Sequence, residues 1–299
     1  MQGWLERAGS GWWRGPGGVR AGWRVGAFVL LCVALVFAWV FLTPREFLRA
    51  LVSNGRLGPG FIAFNEVALL LPVAAATAVM TWAEGRSFVS CGLGGARPVG
   101  RFVSGVVWGL ALIAALILLL AVTGHATLVW GRLRAGGVAG YALAWAAASL
   151  LTGLAEELAL RGYLLQTLNR GLGFWPALVI TSLAFGALHI SNTGEGVIGI
   201  VSAGMGGAIM ALGVRGTGTL WWSIGLHSAW DYTENFLAGS PDSGQICTGT
   251  LLRLTPHGVA WLSGGATGPE GSLFAPALLA ASLAVAWRVF ARGPRAVAV

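Results

Sequence analysis

Eight long apolar runs constrain the fold of this chain more than any other feature. The first, residues 25–43, carries no charged residue and is long enough to cross a bilayer as a helix. It is longer than the apolar part of a signal peptide and lacks an evident cleavage site, so we expect it to be retained. The other runs are residues 61–82, 102–124, 138–168, 174–190, 197–214, 219–237 and 273–290. This pattern predicts an all-α polytopic membrane protein with about eight transmembrane helices.

The composition agrees with a membrane protein and excludes several kinds of chemistry. Of the 299 residues, 56% are hydrophobic and 10% are charged, unlike a soluble domain of this length. All 19 basic residues are arginine. The absence of lysine excludes Schiff-base catalysis, Ser/Lys dyads and the lysine of a phosphate-binding loop. Cys32, Cys91 and Cys247 are far apart, which predicts neither a disulfide framework nor a cysteine metal site.

The net charge of +8 is best explained by membrane topology. The arginines are spread between the apolar runs, as expected for residues that lie beside anionic lipid, so we predict no nucleic-acid partner. With the N-terminus inside, thirteen arginines fall on the inner side and six on the outer side. This distribution predicts that both termini are cytoplasmic. The all-arginine usage and the high glycine and alanine content indicate a bacterial plasma membrane.

The chain divides into five parts. These are a flexible basic N-terminus (1–24), three N-terminal transmembrane helices (25–136), a four-helix core (137–237), a polar glycine-rich loop (238–272), and a last helix with a basic tail (273–299). Within the loop, residues 261–271 are rich in glycine, which predicts tight turns rather than a strand or helix, either as a lid or as a cap. Small-residue spacings predict close helix packing at Gly105/Gly109, Gly136/Gly140 and Ala203/Gly207.

Two adjacent carboxylates and an arginine interrupt the fourth apolar run. Residues 138–155 carry no charge, so Glu156, Glu157 and Arg161 lie in a membrane-length helix, where ionisable groups are costly and usually functional. Glu157 and Arg161 are four residues apart and can neutralise each other. Glu156 lies about 100° around the helix. We therefore expect the partner of Glu156 on another helix.

Two intramembrane histidines are the candidate partners. His189 follows Phe185 by one turn, and His227 precedes Asp231 by one turn. If the fourth and fifth runs form a hairpin that turns near Leu172, Glu156 and His189 both lie about 24 to 26 Å along their helices and can meet. His227 lies only about 15 Å beyond the turn at residues 216–218, so a common depth requires a tilted helix or a re-entrant start.

A buried glutamate beside two histidines can activate water. The carboxylate can act as a general base, a histidine can share the proton, and a second histidine can stabilise the oxyanion of a tetrahedral intermediate. The same four residues, Glu156, His189, His227 and Asp231, are also acceptable zinc ligands that leave a position for water. The residues by themselves leave both schemes open.

The three clusters resemble the motifs of a known family. E-E-x-x-x-R, F-x-x-x-H and H-x-x-x-D, in this order, resemble the motifs of the CAAX protease and bacteriocin-processing family of intramembrane proteases, which includes the type II CAAX-prenyl endopeptidase. The resemblance covers about residues 139–237. It implies eight helices around a conical catalytic cavity. It also implies that Glu156 and His189 activate water, that His227 and Asp231 serve the oxyanion, and that Glu157, Arg161 and Phe185 support them.

One position departs from part of the family. Some members have asparagine where this chain has Asp231, and a carboxyl group donates a hydrogen bond only when it is protonated. Orientation of His227 or metal ligation is therefore an alternative role for Asp231. The motifs of other intramembrane proteases, H-E-x-x-H, G-x-G-D and G-x-S-G, are absent.

The expected function is that of an intramembrane endopeptidase. The substrate is expected to be a membrane-anchored or prenylated protein or peptide, and the preferred glutamate mechanism requires no cofactor, with zinc as the alternative. The second hypothesis is a non-catalytic immunity or scaffolding protein of the same fold. A third hypothesis, proton-coupled transport, would leave the Glu157/Arg161 pair and the motif spacing unexplained.

Overall fold

The computed structural model describes residues 13–15, 18–46, 56–192, 194–242 and 245–291. Much of the predicted flexible N-terminus and nearly all of the basic tail lie outside these residues. Six described helices are long and apolar enough to cross a membrane. They are Ala21–Leu42, Pro59–Ala83, Pro98–Val122, Gly136–Leu172, Phe174–Ser191 and Val197–Thr217. Two shorter helices occupy the seventh and eighth runs. The prediction of an all-α polytopic membrane protein is therefore confirmed.

The helices are numbered in chain order. They are α1 (Ala21–Leu42), α2 (Pro59–Ala83), α3 (Pro98–Val122), α4 (Ala135–Glu157), α5 (Leu165–Leu172), α6 (Phe174–Leu188), α7 (Val197–Thr217), α8 (Trp221–Tyr232), α9 (Ala260–Ser263) and α10 (Phe274–Phe290). Two π-helical segments extend this set: Leu158–Leu164 joins α4 to α5, and Thr233–Ala238 continues α8. Short 3-10 turns occur at Phe88–Cys91, His189–Ser191 and Pro269–Gly271.

Small residues bring α3 and α8 together. A Cβ atom on Gly105 would collide with the carbonyl oxygen of Trp222, and one on Gly109 would collide with that of Leu226. The backbones of these helices therefore touch, as the Gly105/Gly109 spacing predicted. The prediction for Gly136/Gly140 is wrong, because a Cβ atom on either residue would meet nothing within 4 Å.

Short strands precede and connect the helices. They are β1 (Arg14–Gly15), β2 (Gly18–Val19), β3 (Arg56–Leu57), β4 (Ala126–Trp130), β5 (Pro241–Asp242), β6 (Gln245–Cys247) and β7 (Leu252–Pro256). Strand β6 pairs parallel with β3 and antiparallel with β5, and β7 pairs antiparallel with β4 in the register Ala126 to Pro256. The segment 238–272 is therefore only partly a loop.

The prediction of tight turns at residues 261–271 needs a correction. Helix α9 forms one helical turn at the start of this segment, and a 3-10 turn follows at Pro269–Gly271. Between them, Gly264, Gly265 and Gly268 have positive φ angles, as in tight turns. The helical turns form because hydrogen bonds within the segment satisfy its backbone groups, such as the bond from Gly264 N to Ala260 O at 2.8 Å.

The helix directions define two ends of the bundle. Strands β3 to β7 lie at one end, which we call the strand end. At the other, the basic end, α1 begins and α2 and α5 finish. There the carboxylate of Glu84 contacts three arginines: Oε1 lies 3.6 Å from Arg24 Nη1, and Oε2 lies 3.0 Å from Arg86 Nη1 and 3.9 Å from Arg170 Nη1. Glu84 Oε1 also accepts a hydrogen bond from the Tyr163 hydroxyl at 2.5 Å. This cluster ties the three helix ends together.

Candidate active site

A cavity of about 330 Å³ lies within the bundle, and residues of α2, α3, α4, α6, α7, α8 and α10 line it together with residues of the strand end. All four residues predicted to be catalytic are part of its wall: Glu156, His189, His227 and Asp231. The three motifs, which are far apart in the sequence, therefore converge on one space.

His227 is the centre of the polar contacts in this cavity. Its Nε2 atom lies 3.8 Å from Glu156 Oε2 and 3.8 Å from Asp231 Oδ2. Its Nδ1 atom donates to Glu157 Oε1 at 3.3 Å. The partner of Glu156 is thus on another helix, as expected from its position on α4. Glu157, which we expected to pair with Arg161, contacts His227 as well.

Glu157 and Arg161 form a buried ion pair. Arg161 Nη1 donates to Glu157 Oε1 at 2.7 Å, and both side chains are fully buried. The guanidinium carbon of Arg161 lies 4.6 Å from the centre of the Phe185 ring, within the range of a cation–π contact. A Cβ atom on Gly207 would lie only 2.8 Å from Arg161 Nη2, so the missing side chain leaves room for the guanidinium. The pair holds a carboxylate against the Nδ1 side of His227.

Phe185 separates the two histidines. Its ring centre lies 5.0 Å from that of His189 and 5.7 Å from that of His227, edge to face in both cases. His189 Nδ1 donates to the Phe185 carbonyl oxygen at 2.8 Å, which leaves Nε2 as the free ring nitrogen. Glu156 is within 4 Å of His227 but not of His189, although both line the cavity. The individual roles of these residues remain predictions.

Local helix geometry places the motif residues. The π-helical segment Leu158–Leu164 begins directly after Glu157, and a second one, Thr233–Ala238, begins two residues after Asp231. Single π-helical turns are frequently found at functional sites because they re-aim the side chains beside them. A Cβ atom on Gly153 would lie 2.5 Å from Ser228 Oγ. The glycine therefore lets α4 approach α8 closely enough for Glu157 to reach His227.

The depth of His227 is explained by the start of α8. Leu220 and Trp222 are 0% and 2% exposed, so this helix begins inside the bundle rather than at its surface. Leu220 N donates to the carbonyl oxygen of Gly92 at 2.8 Å, on the turn between α2 and α3. A recessed start is one of the two solutions that the sequence left open, and it brings His227 to the level of Glu156.

Residues 137–233 match the family model described as "Type II CAAX prenyl endopeptidase Rce1-like". The predicted family resemblance is therefore confirmed. The Rce1-like segment contains all three motifs, from Glu156 to Asp231, whereas α1 to α3 and the strands of the 238–272 segment lie outside it. No curated protein and no solved structure matches the chain.

Further carboxyl groups line the same cavity and were missed by the motif analysis. They are Glu66, Glu195, Glu234, Asp242 and Glu270. Glu66 could have been found, because it is the sole charged residue of the run 61–82 and ionisable groups in membrane helices are usually functional. Glu234 lies in the apolar run 219–237 and could have been found in the same way, whereas the others lie in the loops of the strand end, where the sequence contains no comparable signal.

The glycine-rich segment 261–271 forms part of the cavity wall. Ser202 Oγ on α7 donates to the carbonyl oxygen of Glu270 at 2.9 Å, and Thr267 Oγ1 donates to that of Gly194 at 3.0 Å. These bonds attach the segment to the start of α7. Burial, and then the neighbouring Glu234, raise the pKa of Glu270 well above its usual range.

Zinc ligation by these residues stays an alternative prediction. Within the described ranges, no group of three or more His, Cys, Asp or Glu side chains is positioned to hold a metal ion. Glu156 Oε2 and Asp231 Oδ2 each lie 3.8 Å from Nε2 of His227.

Proposed function

We propose that this protein is an intramembrane endopeptidase that hydrolyses a peptide bond of a membrane-associated substrate with water activated by Glu156. One observation carries the proposal: Glu156 and His227 lie 3.8 Å apart in a cavity that His189 and Asp231 also line. The match of residues 137–233 to the Rce1-like family supports the same reaction class.

In this proposal, Glu156 and His189 activate the water molecule. The Glu156 side chain is 26% exposed, so it can contact a water molecule in the cavity, whereas Glu157 is fully buried. The Glu156 carboxylate takes a proton from this water, and the hydroxide attacks the carbonyl carbon of the substrate. His189 presents Nε2 to the same space, because its Nδ1 is bound to the Phe185 carbonyl oxygen, and can share the proton.

His227 then stabilises the oxyanion. Glu157 holds Nδ1–H of the ring, and two further carboxylates face Nε2, so the ring can carry both protons and donate from Nε2 to the negatively charged oxygen. Asp231 orients and neutralises the ring in this scheme. When the intermediate collapses, the C–N bond breaks and the proton taken up by Glu156 passes to the leaving amine.

The reaction is proposed to need no metal. Purified active protein should contain far less than one zinc ion per chain, and its turnover should survive dialysis against a chelator. Loss of turnover on chelation, restored by zinc alone, would contradict the glutamate scheme.

The substrate is proposed to be a membrane-anchored or prenylated peptide that enters from the strand end. Leu57, Asp242 and Glu270, which lie in the segments that cover this end, line the cavity. Along α2, Glu66 of the cavity and Glu84 of the basic end are about 27 Å apart. If the arginine-rich end is cytoplasmic, the cavity opens away from the cytoplasm.

Hydrolysis by purified protein tests the proposal. In detergent, the wild type should cleave a lipid-anchored fluorogenic peptide, and Glu156→Gln and His189→Ala should each lower kcat by roughly 10² to 10⁴, the contribution of a general base. Glu46→Gln is the matched control, because this carboxylate is exposed and lies outside the cavity. Unchanged turnover in Glu156→Gln would exclude the mechanism. If Glu156→Gln instead preserves a cellular phenotype of the wild type, the non-catalytic immunity or scaffolding function is favoured.

A further inference from the structure

The carboxyl groups of this chain are concentrated at the cavity. Seven of the 11 acidic residues line it, whereas none of the arginines in the described part of the chain does. Within the described ranges, the basic side chains of the wall are His189 and His227. In a chain with a net charge of +8, the acidic residues are thus gathered at one site.

In several of these carboxyl groups, one oxygen atom has no hydrogen-bond partner. Glu66 Oε2, Asp231 Oδ2 and Glu270 Oε2 are buried oxygen atoms with no hydrogen-bond partner. A buried, unsatisfied carboxylate oxygen is costly, so each of these atoms has an unused capacity to accept a hydrogen bond from a ligand. Asp231 belongs to the catalytic group, and Glu66 is on α2. Glu270 is the one that lies in the segments covering the strand end.

Glu270 lies beside a second carboxyl group, that of Glu234. Both side chains line the cavity, the two carboxyl groups interact with each other, and the charge of Asp242 acts on both. Glu234 is 5% exposed and also accepts a hydrogen bond from Trp230 Nε1 at 3.0 Å. A guanidinium or ammonium group between them can pair with both carboxylates.

This pair is close to the catalytic residues. Glu234 follows Asp231 by three residues, which is about 4.5 Å along a helix. An extended peptide advances about 3.3 to 3.6 Å per residue. A side chain bound between Glu234 and Glu270 therefore belongs to a residue about one or two positions from the bond that is cleaved.

We propose that Glu234 and Glu270, with Asp242 beside them, form a specificity subsite for an arginine or lysine side chain of the substrate. This inference rests on the proposed endopeptidase function and adds the substrate class. The subsite selects peptides with a positive charge next to the scissile bond.

Matched peptides test the subsite. Mass spectrometry of the products first locates the cleaved bond. In a series of lipid-anchored peptides, each position near this bond then carries either arginine or its neutral isostere citrulline. At one of these positions, the arginine peptide should have a KM at least about tenfold lower, as expected for a buried charge-assisted pair. This ratio should fall to about one in Glu234→Gln/Glu270→Gln and should persist in Glu46→Gln. Equal KM values at every position in the wild type would overturn the proposal.

Binding distinguishes this inference from the reaction itself. Fluorescence anisotropy measures the affinity of the wild type for the arginine and citrulline peptides, whether or not they are cleaved. A preference of about tenfold in affinity without cleavage would support the subsite and contradict the endopeptidase. Cleavage of both peptides with equal affinity and equal KM would support the endopeptidase and contradict the subsite. A selectivity ratio that survives in the double variant would assign the cation to other carboxylates and contradict the role of Glu234 and Glu270.

Discussion

The basic end and the cavity handle carboxyl groups in opposite ways. At the basic end, one carboxylate, Glu84, lies within 4 Å of three arginines and accepts a hydrogen bond from Tyr163. In the cavity, seven carboxyl groups share one wall with two histidines and, among the described residues, no arginine. The paired carboxylate at the basic end joins helices. The carboxyl groups of the cavity have no such arginine on the described part of the wall.

The same contrast holds between two adjacent residues of α4. Glu157 is fully buried and bound to Arg161, whereas Glu156 lines the cavity. They differ by about 100° around the helix. Pairing with arginine therefore distinguishes the carboxylates that join helices from those that line the cavity, and changing either kind should affect stability and turnover differently.

The largest effect on stability is expected for the buried Glu157/Arg161 ion pair. Arg161→Met removes the guanidinium partner of the buried Glu157 carboxylate and leaves it only the contact with His227, which should lower the free energy of unfolding by about 3 to 5 kcal/mol. Glu157→Gln/Arg161→Met removes both charges and should recover most of this loss. It should remain inactive, because His227 loses the carboxylate at Nδ1. Unfolding in detergent and peptide turnover measure the two properties, and equal stability of the single and double variants would contradict the pairing.

A smaller loss is expected at the basic end. Glu84→Gln removes the common partner of three partly exposed arginines, so the free energy of unfolding should fall by about 1 to 2 kcal/mol. The kcat of the purified protein should stay within about twofold, since Glu84 is about 27 Å along α2 from the cavity residue Glu66. A large drop in kcat without unfolding would show that the basic end takes part in the reaction.

For a carboxyl group of the cavity, we expect substitution to change the stability in the opposite direction. Glu66→Gln keeps the shape of the side chain and removes a buried carboxyl group with an unsatisfied oxygen atom, so the free energy of unfolding should rise by about 0.5 kcal/mol. Glu84→Gln is the matched control for this change. If Glu66→Gln destabilises the protein as much as Glu84→Gln does, the distinction between the two regions is wrong.

Cysteine substitutions at exposed positions can test which end of the bundle faces the cytoplasm, and we expect them to leave the stability unchanged. Val259 lies in the segment that covers the strand end, Val99 lies at the start of α3 at the basic end, and they are 50% and 73% exposed. In a variant without the native cysteines, Val259→Cys should react with an impermeant maleimide in intact cells, whereas Val99→Cys should react only after lysis. The reverse pattern would place the cavity on the cytoplasmic side.

Much of the site could be predicted because intramembrane charges are rare. Glu156, Glu157, Arg161, His189 and His227 each interrupt an apolar run, and the cost of an ionisable group in lipid indicates a function or a partner. The same rule applied to Glu66 would have added a fourth helix to the cavity, and applied to Glu234 a further carboxyl group of the seventh run. Asp242 and Glu270 could not be found in this way, because a carboxylate near a loop is ordinarily solvated.

Other features depended on interactions between distant segments. The strands at 126–130 and 252–256 pair across the chain, so their formation could not be inferred from either segment alone. The recessed start of α8 likewise depends on the contact between Leu220 and Gly92. Without it, helix rise alone places His227 about 10 Å short of Glu156.

The sequence by itself determined the membrane class, the helix positions, the Glu157/Arg161 pair and the need for a partner of Glu156. These depend on apolar length and on spacing along one helix, which are local properties. Only the tertiary structure decided that this partner is His227, that Glu157 reaches the same ring, and that seven carboxyl groups share one cavity. Such contacts depend on how closely helix backbones approach, and here glycines and a recessed helix start set that approach.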